Sequence, residues 1–544
     1  MAVRHPGRFS RRHLLGATVA GAALSGARAQ SRILDAPCGP LRGITVHSGL
    51  QAFLGIPYAE PPVGPLRYAS PRPARRWTAV HDATRPGAAS IQTLAGAAAW
   101  LYEGAEPQDE NCLFLNVWTP TTDGQRPVMV WLHGGAWRTG RGNAAGTDGA
   151  ALAARGDVVV VTVNYRLGAL GWLAHPALRD PETGTFANWG LQDQLLALQW
   201  VQDNIAAFGG DPTRVTLYGQ SAGGSSTASI AQDPRHRRLL QRAIIESGSL
   251  HGAPGFPEVP TAAAYADALA ARLSVTVPGL RAVPALTLHR TELELARDPA
   301  MVRSLGRPPV LPVLDGAVLR VWPRDGVLAP VPLLIGSTRN EAVFWYDLVA
   351  PDDRRIPGLF PPPDRTALVT AIRDLAALYR PEAEAISPET VADAYAAAAR
   401  GRGEPDAVLP VWLAVYTDVV FRLRARACAR RHAEAGQPVF LYEFAHSLAP
   451  PAHGVPHTAE IPFVFGTYTD PFFAAKLGAG SSEAALSDAM LNAWARFAHD
   501  GTPGPGWADA TAEMLPTNVL GGPAGVLAVE PHSRVDELTV WGMS

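Results

Sequence analysis

Residues 214–223 read RVTLYGQSAG, a short apolar run followed by a pentapeptide that carries a serine between two glycines. The run is rich in β-branched and aromatic residues and predicts a buried strand, and the segment after it is compatible with a helix up to Asp233. A serine on a sharp strand-to-helix turn needs small neighbours, because larger side chains would collide with adjacent strands. The pentapeptide alone is short enough to arise by chance, and its position between strand and helix gives it weight. The stretch therefore indicates a nucleophilic serine, Ser221.

Several further apolar runs resemble this first run. Polar and apolar residues hardly alternate within them. Such runs are typical of strands buried on both faces, as in a parallel sheet. Segments 190–208 and 411–435 lie between them and have apolar residues at three- and four-residue intervals, which predicts helices. This alternation predicts an α/β protein with a large, mostly parallel central sheet and helices on both faces. The predicted strands cover residues 127–132, 157–164, 214–218, 242–246, 331–335 and 438–444.

Two segments interrupt the alternation, near residues 252–307 and 351–405, and the second opens with a Pro-rich stretch. We interpret both as excursions from one domain, of the kind that often forms the walls of a pocket. The 544 residues would allow three domains at the usual length, but a large α/β domain can contain such a chain. We expect residues 30–544 to form a single catalytic domain.

The composition excludes several classes of protein. The chain has 52 Gly and 49 Pro without a collagen-like period, 47% hydrophobic residues and a formal net charge of −2. A nucleic-acid-binding protein would be expected to carry a basic excess, which is missing. Cys38, Cys112 and Cys428 are too few and too scattered for a disulfide framework or a cysteine-based zinc site. With no zinc-protease or dinucleotide motif either, we expect no metal, no cofactor and no nucleic-acid partner.

The first residues have the layout of an export signal. Residues 1–29 contain five arginines and no acid, an uncharged stretch from Leu14 to Ala27, and a small residue on either side of Arg28. The uncharged stretch is too short and too weakly apolar for the ~20 residues of a membrane span. Residues 10–15, SRRHLL, resemble a twin-arginine signal, and an ordinary secretory signal is the alternative. We expect a periplasmic or secreted protein without a transmembrane segment in the mature chain.

A glycine-rich turn, HGGAW at residues 133–137, follows the predicted strand 127–132. Glycines let main-chain N–H groups point at a ligand without steric obstruction, and the tetrahedral oxyanion formed by a serine nucleophile needs such donors. We expect the N–H groups of Gly135, Ala136 and Ala222 to form a three-donor oxyanion hole. His133 is expected to be structural.

A serine hydroxyl also needs a base, and the base needs an orienting acid. Spacing alone does not choose between the candidates. The acids are Glu246, Asp315, Glu341 and Glu460, and the bases are His446, His453 and His457.

Taken together, these stretches resemble the type-B carboxylesterases, an α/β-hydrolase family that includes bacterial esterases and the cholinesterases. The matching stretches follow one another in the family's order through most of residues 40–500. They are FLGIPYAEPPVGPLRY (53–68), ENCLFLNVWTP (110–120), VMVWLHGGAW (128–137), VVVVTVNYRLGALGWL (158–173), ANWGLQDQLLALQWVQDNIAAFGGDPTRVTLYGQSAGGSS (187–226), AIIESGS (243–249), GSTRNEA (336–342) and GVPHTAEIPFVFG (454–466).

The resemblance implies a Ser221, Glu341, His457 triad. His457 would take the proton of Ser221 and return it to the leaving alcohol, while Glu341 would fix the imidazole tautomer. The implied function is a serine carboxylesterase that hydrolyses a small-molecule ester with water through an acyl-enzyme. The same triad could serve a lactonase, an amidase or a polyester hydrolase. Relatives that keep the fold as binding or adhesion proteins have lost the nucleophile, and this chain retains it.

The resemblance also implies buried ion pairs and shows departures. Arg166 with Asp193, and Arg67 with Glu110, fall where the family ties loops to the sheet. The cysteine that many relatives pair with Cys112 is missing upstream, so a free thiol is expected.

Three further residues are candidates for the substrate pocket. Gln220 stands where the cholinesterases carry a glutamate that helps to hold a cationic substrate. Trp100 lies near the position of their cation-binding tryptophan, and Trp137 follows the oxyanion turn. Because Gln220 lacks the negative charge of that glutamate, we do not expect this protein to be specialised for choline esters.

Overall fold

A central sheet of eleven strands organises the part of the chain that the structure describes. This computed structural model describes residues 33–46, 49–94, 107–248, 256–298, 301, 310–323, 328–347, 361–380, 386–448, 454–523, 525–531 and 534–542. The predicted signal at residues 1–29 lies outside these ranges, so export stays a prediction. The strands are β1 (Ile33–Ala36), β2 (Gly39–Arg42), β3 (Ile44–Thr45), β4 (Gln51–Pro57), β5 (His81–Asp82), β6 (Phe114–Thr119), β7 (Arg126–Leu132), β8 (Val159–Val163), β9 (Gly210–Gln220), β10 (Arg242–Glu246), β11 (Leu333–Thr338), β12 (Val439–Phe444), β13 (Thr517–Leu520) and β14 (Leu527–Glu530).

Helices connect most of these strands. They are α1 (Ala150–Gly156), α2 (Gly168–Trp172), α3 (Trp189–Asn204), α4 (Ala222–Ala231), α5 (Val259–Arg272), α6 (Ala285–Arg297), α7 (Val343–Asp347), α8 (Arg365–Tyr379), α9 (Pro388–Gly401), α10 (Val408–Thr417), α11 (Leu423–Glu434), α12 (Ile461–Phe465), α13 (Pro471–Leu477), α14 (Ser481–Asp500) and α15 (Val535–Thr539). A π-helical segment, Asp418–Arg422, joins α10 to α11. Within the described ranges, no helix has the length and apolar character that crossing a membrane requires.

The sheet order is β14-β13-β12-β11-β10-β9-β7-β8-β6-β4-β3. Neighbouring strands from β8 through β7 and β9 to β13 run parallel, and the remaining pairs at both edges are antiparallel. Strands β1, β2 and β5 form a separate small sheet. The predicted mostly parallel α/β sheet is confirmed.

The core lies on both faces of this sheet. Strand β8 reads VVVTV and is buried along its whole length, which explains its run of β-branched residues without alternation. In β7, Val128 and Val130 pack into the cluster on one face, which includes residues of α3. Met129 and Trp131 pack into the cluster on the other face with residues of α14. Helices therefore cover both faces, as predicted.

All six predicted strands are present as β7, β8, β9, β10, β11 and β12, with ends that differ by a few residues. The predicted helix 190–208 is α3 followed by a 3₁₀ turn at Ile205–Phe208. The predicted helix 411–435 contains the π-helical segment, which its apolar spacing did not indicate. The described parts of the two excursions are helical, with α5 and α6 in the first and α8 and α9 in the second.

Two buried ion pairs tie loops to this framework, as the sequence predicted. Arg166 Nε and Nη2 donate to the two carboxylate oxygens of Asp193 at 2.8 and 2.7 Å, and both side chains are almost fully buried. Arg67 and Glu110 form a similar two-point pair at 2.5 and 2.6 Å. Breaking one partner of such a pair leaves a buried charge without compensation.

The three cysteines are free thiols, and Cys112 is buried, as expected. Burial raises the pKa of Cys112 to about 12 and that of Cys428 to about 11. Both thiols are therefore protonated and unreactive at neutral pH.

We expect Arg166→Met to reduce the free energy of unfolding by about 3–5 kcal/mol, because Asp193 would keep a buried charge without a counterion. Chemical denaturation followed by circular dichroism measures this loss. Arg72→Met is the matched control, since Arg72 pairs with Glu182 on the exposed surface and such pairs contribute at most about 1 kcal/mol. Equal losses in the two variants would contradict the structural role of the buried pair.

Candidate active site

The residues predicted to carry chemistry all follow the carboxyl ends of neighbouring parallel strands. Ser221 follows β9, Glu341 follows β11, and the glycine-rich turn at residues 133–137 follows β7. His457 lies in the segment after β12. Because parallel strands end at the same edge of a sheet, this topology gathers residues that are far apart in sequence.

Ser221 occupies a strained turn between β9 and α4. Its backbone has φ 57° and ψ −121°, in the left-handed range that residues with a side chain seldom adopt. Its amide donates to the carbonyl of Glu246 on β10 at 2.8 Å. The residue is half-buried.

Two glycines make this turn possible. A Cβ on Gly219 would lie 2.6 Å from the carbonyl oxygen of Leu132 at the end of β7, and a Cβ on Gly223 would overlap that same oxygen. Helix α4 therefore starts in direct backbone contact with β7. The sequence-based reason for the two glycines is confirmed.

Glu341 and His457 form a buried pair. His457 Nδ1 lies 2.5 Å from Glu341 Oε2, and both side chains are almost fully buried. The other oxygen of Glu341 accepts the amide of Thr338 at 2.8 Å. The carboxylate is thus held from both sides, and it orients the imidazole.

The side-chain amide of Gln220 lies against this imidazole, at almost equal distances from its two ring nitrogens. Gln220 Nε2 lies 3.1 Å from His457 Nε2 and 3.3 Å from His457 Nδ1. Among the described residues, no hydrogen bond joins the hydroxyl of Ser221 to His457. Catalytic hydrogen bonds are often loose before substrate binds, so this arrangement is compatible with a later contact.

The glycine-rich turn packs against the serine turn. A Cβ on Gly134 would lie 3.0 Å from the Cβ of Ser221. Ala136 and Trp137 have φ values of 53° and 57°, and Gly135 has 109°. Within the described ranges, the N–H groups of Gly135, Ala136 and Ala222 donate to no protein acceptor.

His133 supports the turn, as expected. Its ring stacks on Tyr165 with centroids 4.3 Å apart, and its Nδ1 lies 2.9 Å from the carbonyl oxygen of Gly134. Burial lowers its pKa to about 4, so the ring is neutral.

Trp137 anchors the same turn. Its indole N–H donates to Ser226 Oγ in α4 at 3.1 Å, and the ring packs against Trp172 and Phe256. Its predicted contact with substrate stays a prediction. Trp100 lies outside the described residues.

The other acids proposed from the sequence have different surroundings. Asp315 accepts the amides of residues 317–319 and closes a loop. Glu246 accepts the indole N–H of Trp494 at 2.7 Å, and burial raises its pKa to about 8. Glu460 has a pKa well above its ordinary range because of burial and, next, the charges of Glu246 and Glu341.

The other bases are not part of this cluster. His446 Nε2 lies 3.2 Å from the carbonyl oxygen of Leu477 and 3.4 Å from Oε1 of Glu483. His453 lies outside the described residues. In the described part of the chain, no group of three or more His, Cys, Asp or Glu side chains could hold a metal ion.

Sequence reasoning missed three aromatic rings that surround His457. Trp345 stacks on the imidazole with centroids 5.2 Å apart, and Phe344 meets it edge-on at 5.5 Å. Both follow Glu341 by one helical turn, a spacing that could have indicated them. Phe421 lies 5.1 Å from the imidazole and belongs to the π-helical segment, for which the sequence held no signal.

Comparison with known proteins identifies the family of this chain. The model of the carboxylesterase family matches residues 30–521. The chain is 33% identical to para-nitrobenzyl esterase of Bacillus subtilis over 89% of this chain and 94% of that protein. It is 34% identical to fumonisin B1 esterase of Sphingopyxis macrogoltabida over 85% of this chain and 81% of that protein. The solved structure of a thermophilic PNB esterase matches with a TM-score of 0.79 and 32% identity, over 94% of this chain and 99% of that one.

The mixed sheet with these turns at its carboxyl edge defines an α/β-hydrolase fold. Within that fold, the chain belongs to the carboxylesterase family and is a carboxylic ester hydrolase.

We expect Gly223→Ala to destabilise the protein and to reduce ester hydrolysis, because the added methyl group would push α4 away from β7 and displace Ser221. Overpacking of this kind costs about 1–3 kcal/mol. Thermal unfolding and kcat measure the two effects. Gly401→Ala, at a helical position with nothing within 4 Å of the new Cβ, is the control and should be neutral or stabilising. A fully active, stable Gly223→Ala protein would refute the contact.

We expect Glu246→Gln to make stability less dependent on pH. The pKa of Glu246, about 8 in the folded protein, lies above its ordinary 4.5, so its contribution to stability is complete below pH 4.5 and is lost as the pH rises through 8. The free energy of unfolding of the variant, relative to that of the wild type, should therefore rise between pH 5 and 8, by up to about 1.4 kcal/mol per pH unit. Denaturation midpoints across this range test the expectation, with exposed Glu182→Gln as control. A stability difference that does not change with pH would contradict it.

Proposed function

We propose that the protein hydrolyses esters through an acyl-enzyme, with Ser221 as nucleophile, His457 as general base and acid, and Glu341 as the orienting acid. The hydrogen bond between His457 Nδ1 and Glu341 Oε2 is the observation that carries this proposal. A carboxylate can only accept, so Nδ1 carries the proton and Nε2 presents a lone pair. That tautomer is the one a base acting on a serine hydroxyl requires.

In the proposed reaction, His457 Nε2 takes the proton of Ser221 while Oγ attacks the ester carbonyl. The resulting oxyanion would receive hydrogen bonds from the N–H groups of Gly135, Ala136 and Ala222, which are free of protein acceptors in the described ranges. Collapse of this tetrahedral species breaks the bond to the alcohol, and the imidazolium returns the proton to the leaving oxygen. Water then attacks the acyl-enzyme by the same route and releases the acid and Ser221.

The aromatic rings around His457 support an apolar alcohol group in the substrate. Trp345 is half-buried, in contrast to the nearly fully buried imidazole that it stacks on. The leaving oxygen must come close to His457, so the group attached to it would lie near these rings. A flat or apolar leaving group gains contact area there.

We expect Ser221→Ala to reduce the hydrolysis of a short p-nitrophenyl ester at least ~10³-fold, since it removes the nucleophile. Stopped-flow release of p-nitrophenolate by residues 30–544 measures the loss. Ser229→Ala is the matched control, because Ser229 lies in the same helix and donates to Ser225 O within it. This control should keep its activity.

Each other outcome would overturn part of the proposal. Equal activity in the wild type and Ser221→Ala would mean that another group is the nucleophile. An inert wild type would mean that this ester is not hydrolysed, and a series of acyl and alcohol groups would then be needed before the triad could be retained.

A further inference from the structure

A buried carboxylate, Glu292, joins the first excursion to the backbone around the glycine-rich turn. Glu292 lies on α6 and is 2% exposed. Its Oε1 lies 3.2 Å from Nη2 of Arg138, the residue that directly follows the turn. Its Oε2 accepts the amide N–H of Ala169 at 2.8 Å. Both oxygens of this carboxylate therefore bind groups that lie outside the excursion.

The second of these groups belongs to the segment that holds the end of the turn. The amide of Gly168, next to Ala169, donates to the carbonyl oxygen of Trp137 at 2.8 Å. A Cβ on Gly168 would lie 2.7 Å from Glu292 Oε2, so the carboxylate lies directly against this backbone. Glu292 thus supports the turn twice, through the side chain of Arg138 and through the backbone that binds Trp137.

The backbone of the turn needs such support. Gly135, Ala136 and Trp137 have φ values of 109°, 53° and 57°. Residues with a side chain seldom adopt such values, and they persist only where the surrounding structure enforces them. The amides of Arg138 and Thr139 both donate to the carbonyl oxygen of Gly135 at 3.0 Å, which closes the turn. Arg138 therefore takes part in this closure with its main chain and binds Glu292 with its side chain.

Helix α6 is itself anchored close to the carboxylate. The hydroxyl of Tyr265 on α5 donates to the main-chain oxygen of Glu292 at 3.4 Å. One helical turn earlier, Nε2 of His289 lies 2.9 Å from Oγ1 of Thr93. These contacts define the position of the carboxylate relative to the turn.

We propose that Glu292 is a positioning residue for the oxyanion hole, which holds residues 135–137 in the conformation that directs the N–H groups of Gly135 and Ala136 at the oxyanion. The inference rests on the proposed function, in which these N–H groups bind the oxyanion. Donors that are already in place stabilise the transition state without a cost of reorganisation. A relaxed turn would still allow the substrate to bind, because the full negative charge develops only as the carbonyl is attacked.

The test compares wild type, Glu292→Gln and Glu292→Met in the mature chain, residues 30–544. Glutamine keeps an acceptor for the amide of Ala169 but loses the charge that binds Arg138, and methionine loses both contacts. We expect kcat per active site for a short p-nitrophenyl ester to fall about tenfold in Glu292→Gln and about 100-fold in Glu292→Met. KM should stay within about twofold of the wild type, since the lost interaction belongs to the transition state. The p-nitrophenolate released by a dialkyl p-nitrophenyl phosphate counts the active sites.

Glu294→Gln is the matched control, because it makes the same substitution on the exposed face of the same helix. The carboxylate of Glu294 lies 3.9 Å from Arg272 at the surface. This variant should keep both kcat and KM.

Arg138→Met removes the same ion pair from its half-buried side and should lower kcat to about the level of Glu292→Gln. The double variant Arg138→Met, Glu292→Gln should have a kcat close to that of either single variant, because one shared interaction is lost in all three. Losses that multiply in the double variant would contradict a role of Glu292 that acts through Arg138.

A second measurement probes the oxyanion hole itself. With an alkyl trifluoromethyl ketone, Ser221 Oγ would form a bond to the carbonyl carbon, its proton would pass to His457, and the carbonyl electron pair would become the oxyanion. The corresponding methyl ketone has the same shape but forms no stable adduct. We expect the inhibition constant of the trifluoromethyl ketone to rise in Glu292→Gln by the factor by which kcat falls, while that of the methyl ketone stays unchanged.

The outcomes separate this inference from the proposed function. Unchanged kcat per active site and unchanged inhibition by the trifluoromethyl ketone in Glu292→Gln would overturn the positioning role, even if the variant unfolded at a lower temperature, because Glu292 would then only stabilise the fold. A higher KM at constant kcat would overturn it as well. A wild type that neither hydrolyses the ester nor binds the trifluoromethyl ketone would reject the proposed function itself.

Discussion

The contact of one helix with the end of a neighbouring strand sets the geometry on which the site depends. Helix α4 begins against the carbonyl of Leu132 at the end of β7, and only Gly219 and Gly223 allow the backbones to come so close. Between them, Ser221 is held at φ 57°, a conformation that costs of order 1–3 kcal/mol and persists because the surrounding sheet over-determines it. The same contact brings the glycine-rich turn after β7 against the serine, so the proposed nucleophile and the proposed oxyanion donors are positioned by one backbone contact.

The buried acids of this region differ in the hydrogen bonds that they accept. Glu341 receives a donor at each oxygen, from Thr338 N–H and from the imidazole. Glu246 has the indole of Trp494 at one oxygen only, and burial raises its pKa to about 8. The two carboxylates thus differ in their hydrogen bonds, because backbone and imidazole donors converge on Glu341. Of the four acids that the sequence left open, Glu341 is the one that the structure shows hydrogen-bonded to His457.

Much of the fold could be predicted from the sequence, because parallel strands are buried on both faces. Burial on both faces produces continuous apolar runs, such as residues 127–132, which are typical of this kind of sheet. The Ser221 turn follows from its two glycines. Glu341 and His457 are 116 residues apart, and the pairing of β11 with β12 brings them together. Sequence spacing therefore could not identify them as partners, and their assignment came from the family resemblance. The four-residue strands β13 and β14 are too short to leave a pattern. Phe421 reaches the imidazole through a π-helical register that apolar periodicity does not encode.

In the proposed reaction, Ser221, activated by His457 and Glu341, becomes covalently bound to the acyl group. A dialkyl p-nitrophenyl phosphate can trap this nucleophile, since its attack releases p-nitrophenolate and leaves a stable phosphoryl group on the attacking oxygen. Mass spectrometry of the digested protein then locates the label. We expect one label per chain, on Ser221, with loss of ester hydrolysis in proportion to labelling. A label on another residue that accompanies the loss of activity, or full hydrolysis by protein labelled at Ser221, would contradict it.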